Sequence, residues 1–117
     1  MKVLDTNIIK GCLSAEGTIA LVTVTAAEVR SKGTRNEHVD ITFKPGSVIY
    51  GDPVDQLVLW SYTSKGDPIL EEGSDYVIGA VPLARVAPRL KLLGHVKVPK
   101  GKEAECVKAH QQLVQGR

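Results

Sequence analysis

The stretch His38–Phe43, HVDITF, alternates without a lapse: Val39, Ile41 and Phe43 fall on one side, His38, Asp40 and Thr42 on the other. Successive side chains of an extended chain point to opposite faces, so a two-residue apolar period commits this segment to a strand with one buried face. The preceding TIALVTVTAAEV, residues 18–29, is rich in β-branched residues and carries the same signal. Its period places Val22, Val24 and Ala26 on one face and Thr23 and Thr25 on the other. Between the two lies SKGTRNE, residues 31–37, which has no apolar member and is expected to turn.

The same punctuation recurs along the chain. Pro45-Gly46 predicts a bulge or bend before SVIY, since proline removes a ladder donor. Tyr50-Gly51-Asp52-Pro53 turns into VDQLVLWSYT, with Val58, Trp60 and Tyr62 on one face and Leu57 and Leu59 on the other. In ILEEGSDYVIGAV, residues 69–81, Leu70 is expected to pack inward and Glu71-Glu72-Gly73 to form a tight surface turn. Glycine supplies the positive φ that such a turn often needs, and Tyr76–Ala80 then forms the fourth strand. RLKLLGHVKV, residues 89–98, gives the fifth, with a bulge at Gly94. The end differs in kind. KEAECVKAHQQLVQ, residues 102–115, places Cys106, Val107, His110, Leu113 and Val114 on one stripe of an amphipathic helix. Residues 1–16 have no steady period and read as a leading arm.

With 117 residues, 43% of them apolar, the chain fits one domain with a single core. No stretch approaches the roughly 20 apolar residues that cross a bilayer. Asp5 and Asn7 break up any apolar signal-peptide region near the start. Net charge is +2 but unevenly spread: +1 over residues 1–50, −5 over 51–80 and +6 over 81–117. The basic final third can attract a polyanion or simply solvate one face. Cys12 and Cys106 lie 94 positions apart, a spacing that fits neither a zinc site nor a redox pair. Bridged, they would tie the start of the fold to its end, contributing on the order of 4 kcal/mol through chain entropy. Unbridged, they would be two buried thiols of a cytoplasmic protein.

Five strands with regular turns and one packed helix describe an all-β, five-stranded antiparallel barrel with a C-terminal α-helix. The ordered set ALVTVTAAEV, HVDITF…VIYGD, QLVLWSYT and LEEGSDYVIGA resembles the netrin-module, tissue-inhibitor-of-metalloproteinases-like branch of the OB-fold family over residues 17–98. Leu70, Gly73, Tyr76, Val77 and Ile78 match that family's scheme of a leucine, a polar pair, a glycine and a tyrosine-containing strand. The resemblance implies a secreted, periplasmic or cell-surface module that works by protein–protein contact, in the manner of a protease inhibitor. It places the contact edge at Cys12, Leu13, Ser14, Ala15 and Glu16. The family's inhibitors open on Cys-x-Cys with the first cysteine at the mature terminus. Here Ser14 replaces the second cysteine and eleven residues precede Cys12.

Catalytic signals are sparse. No Gly-x-Ser-x-Gly elbow and no phosphate-binding glycine pattern occurs, and the sequence names no third ligand for a metal at His38 and Asp40. We therefore expect no enzyme activity, no cofactor and no metal. The alternative to a protein partner is single-stranded nucleic acid. OB-folds stack bases on aromatics of their second and third strands, which gives Trp60 and Tyr62 that role, with Arg30, Lys32 and Arg35 on the phosphates.

Overall fold

The computed structural model of the chain describes residues 2–35, 38–59, 70–82 and 90–116. Its elements run α1 (Thr6–Ser14), β1 (Thr18–Arg30), β2 (His38–Tyr50), β3 (Gln56–Leu59), β4 (Asp75–Pro82), β5 (Leu90–Val98) and α2 (Glu103–Gln115). The strands form one antiparallel sheet in the order β3-β2-β1-β4-β5. Alternate antiparallel pairing makes β3 and β5 run in the same direction. The two approach each other at the ends of the sheet, yet among the described residues no ladder joins them and the sheet is not closed.

Alternation builds two apolar layers. On one face Val22 and Val24 of β1, Ile41 and Phe43 of β2, Leu57 of β3 and Ile78 of β4 pack into the concave side of the sheet. On the other face Ile19 and Val77 meet Leu4, Ile9, Cys12 and Cys106 beneath the two helices. Strand β4 belongs to both layers, with Tyr76 through Ala80 buried without a break. The fully buried Val77 and Ile78 each contribute about 1.5–3 kcal/mol.

Bulges adjust the register where the sequence period alone misleads. Val24 pairs with Phe43, but Ala26 pairs with Thr42, so Thr25 is an extra residue on β1. The inward position therefore moves from the expected Ala26 to Ala27, which packs against the concave core. On β2 the pairing jumps from Val48 to Pro45 between Ala20 and Val22, which puts a bulge at the expected Pro45-Gly46 bend. On β5 Gly79 pairs with Gly94 and Ala80 with Leu92, leaving Leu93 as the extra residue. Leu93 and Gly94 consequently both look toward α1. At the surface turn Gly73 takes φ +82, Leu70 is buried, and the Ser74 N–H donates to the Glu71 carbonyl.

The leading arm is not irregular: its Thr6–Ser14 portion is the helix α1. Asp5 caps it, its side chain accepting from the Asn7 N–H at 2.7 Å. At the far end Glu16 adopts φ 54 and the Gly17 N–H reaches back to the Cys12 carbonyl at 2.7 Å, a Schellman closure. This helix seats closely because the cross-strand pair Gly79–Gly94 presents no side chain. A Cβ on Gly79 would lie 3.0 Å from both Cys12 Sγ and Ile8 Cγ2, and one on Gly94 2.3 Å from Ile8 Cδ1. Gly79→Val should accordingly overpack this contact and destabilise the protein by about 1–3 kcal/mol, read from its urea unfolding midpoint. An unchanged midpoint would contradict the close seating of α1.

Candidate functional site

The residues expected to form a contact edge divide at Cys12. Its side chain is fully buried and faces Gly79 of β4, while Leu13 packs partly into the same layer. Only Ser14, Ala15 and Glu16 are exposed, around the C-terminal end of α1. Cys12 thus serves the core and is not presented to a partner.

The expected Cys12–Cys106 bridge is not formed; both thiols are free and buried. Helical geometry turns Cys106 toward His110 instead, with Sγ 3.7 Å from Nδ1. Burial raises the pKa of both thiols, the Ala80 backbone partly offsetting this at Cys12, so neither favours the thiolate that nucleophilic chemistry needs. His110 is completely buried on the predicted stripe of α2, and both ring nitrogens are engaged. Nε2 accepts from the Leu4 N–H at 2.9 Å, and Nδ1 lies 2.7 Å from the Cys106 carbonyl, to which it donates. The neutral imidazole therefore clips the N-terminal segment to the C-terminal helix across 106 positions of sequence.

Beside this clip, the second half of β5 borders a cleft of about 610 Å³. Tyr76 reaches it from β4, His95 and Lys97 from alternate positions of β5, and Glu71 from the surface turn. The Tyr76 hydroxyl accepts from the Glu71 N–H at 2.9 Å, and its ring meets His95 edge-on with centroids 5.8 Å apart. Burial lowers the His95 pKa, which favours the neutral ring. Lys97 donates to Glu71 at 3.0 Å, and that hydrogen bond and charge hold its pKa up. A neighbouring pocket continues the cleft past Pro99 to Lys2, Lys102 and Cys106. Leu57 of β3 shares the concave core with Leu90 and Leu92 at the start of β5. Among the described residues, β5 has no sheet neighbour on its outer side.

Sequence reasoning missed this grouping because Glu71 and Lys97 meet only through the β4–β5 pairing. The available signal was the run 90–102, with Lys91, Lys97, Lys100 and Lys102 and no acid.

The residues proposed for nucleic acid are only partly placed. Trp60 and Tyr62 lie outside the described residues. Lys32 and Arg35 are exposed on the β1–β2 connection, whereas Arg30 is engaged by Glu28 at 2.6 Å and Asp40 at 3.2 Å. His38 lies 3.6 Å from the same Asp40. Among the described residues no group of three or more His, Cys, Asp or Glu could hold a metal ion. No helix there is long and apolar enough to cross a membrane. No family model, no curated protein and no solved structure matches the chain.

Burial lowers the His110 pKa, with the Cys106 carbonyl partly offsetting it. The native state therefore binds this proton less readily than the unfolded chain, whose histidine titrates near 6.5. The contribution is complete above about pH 6.5 and is lost as pH falls through the lower, native value. The urea midpoint should drop between about pH 7.5 and pH 5, with His95, also held low by burial, adding to it, and His110→Gln should reduce that drop while removing about 1–3 kcal/mol at pH 7.5. A wild-type midpoint that does not change over this range would contradict the clip.

Proposed function

We propose that the chain is a non-catalytic binding module acting by protein–protein contact, and that its contact margin is the outer edge of β5 with the adjoining cleft. One observation carries this reading: among the described residues the second half of β5 has no sheet neighbour on its outer side, and it borders an open cleft. Alternate residues of an antiparallel edge strand direct their N–H and C=O groups outward, where an extended partner segment can satisfy them.

The same reading includes the OB-type scaffold and the netrin-module likeness. In favour of both, the sheet curls until its end strands approach without a ladder, as a partly open five-stranded barrel would. Leu70, Gly73, Tyr76, Val77 and Ile78, which carry the likeness, form the turn and strand that frame the cleft. The contact is assigned to β5 in preference to Cys12–Glu16 because Cys12 is committed to the core.

Site-specific photo-crosslinkers at Lys97 and at Lys32 test this assignment in extract from the source cells. Position 97 should yield protein adducts that survive nuclease treatment, and position 32 should not. Nuclease-sensitive adducts at Lys32, with none at Lys97, would favour the single-stranded nucleic-acid reading built on Trp60, Tyr62, Arg30, Lys32 and Arg35.

A further inference from the structure

Resting on that reading of the β5 margin, we propose that its occupant is an extended acidic peptide segment that adds to the sheet as a further strand. Residues 90–102 carry four lysines and no acid, and Lys2, Lys97 and Lys102 line the cleft itself. The acids there, Glu71 and Glu105, are already engaged by Lys97 at 3.0 Å and Lys102 at 3.5 Å. All four side chains are more than half exposed, so these ion pairs hold the lysines only weakly. A carboxylate on an incoming strand can exchange into them, and its own desolvation is small at so open a site.

The same charges disfavour a second copy of this chain. Two β5 strands paired with each other would bring Lys91 and Lys97 of both copies to one shared seam, with no acid on either strand to offset them. Like charges gathered across a strand pair destabilise it, and lysine on an edge strand is a recognised guard against self-association. A segment of opposite charge meets no such barrier. The wall of the cleft also sets the alternate positions of the occupant. The half-buried His95 ring and the exposed Pro99 offer apolar surface between the lysines, so acidic side chains should alternate with apolar ones.

The test uses the full chain and an array of ten-residue peptides whose apolar residues alternate with glutamate, glutamine or lysine. It adds backbone N-methylated versions and an oligothymidylate. Glutamate peptides should bind about tenfold more tightly than glutamine peptides and weaken with added salt. N-methylation of alternate residues should abolish the binding, because strand addition needs the main-chain bonds. A Lys97→Glu, Lys102→Glu double variant, altered only at exposed positions, should exchange this preference for lysine peptides.

Equal binding of all three charge classes, with NMR shifts confined to residues 90–98, would overturn the acidic occupant while leaving the β5 contact margin standing. Absence of binding by any peptide, or binding indifferent to N-methylation, would overturn strand addition and the margin together. Binding of oligothymidylate in preference to every peptide would overturn the proposal in favour of a general polyanion surface.

Discussion

A strand that is apolar on both faces needs cover on both, and β4 imposes that requirement on the whole molecule. Tyr76, Ile78 and Ala80 look into the concave core while Val77 and Gly79 look the other way. Curling the five-stranded sheet protects the first set. Nothing in the sheet can protect the second, so cover has to come from the ends of the chain. Both helices are recruited to that outer face, and the distance in sequence between them is bridged by packing and by His110, not by a covalent link.

The closeness of that cover follows from the absence of two side chains. Gly79 and Gly94 face one another across the β4–β5 ladder and leave a shallow seat for Ile8 of α1. The bulge at Leu93 then turns a leucine beside this seat, against Gly11 of the helix. With α1 packed over β4 and α2 clipped to Leu4 over β2 and β1, the terminal segments cover the outer face of the sheet, and the second half of β5 borders the cleft. The scaffold and the candidate site are thus set by one arrangement: the helices close a face, and among the described residues β5 has no sheet neighbour on its outer side.

Much of the scaffold was legible wherever local period and burial agree. Val39, Ile41 and Phe43 announce β2, Gly73 announces the turn before β4, and the Cys106–His110–Val114 stripe announces α2 with its inward face. The failures have separate physical causes. Helix α1 was hidden because Thr6, Ile8 and Ile9 are β-branched and Gly11 sits mid-helix, all poor helix formers held there by tertiary packing. Ala26 was assigned the inward position because a bulge at Thr25 breaks a period that the sequence shows as continuous. A count of residues between Cys12 and Cys106 carries no information on where their side chains point. The cleft was the least legible feature. Glu71, Tyr76, His95 and Lys97 are brought together by strand pairing, and only the four lysines spaced over the acid-free residues 90–102 marked it.

The functional account stands on the outer edge of β5 being open to an incoming strand while β4 is sealed from both sides. Residue-resolved amide hydrogen exchange on the native, unliganded chain measures both conditions at once. The account predicts that Val77 and Ile78 exchange among the slowest amides in the protein. Within His95–Val98, alternate amides should exchange at rates close to those of exposed turns. Protection of all four to the level of β4 would show that edge to be covered and would contradict the account.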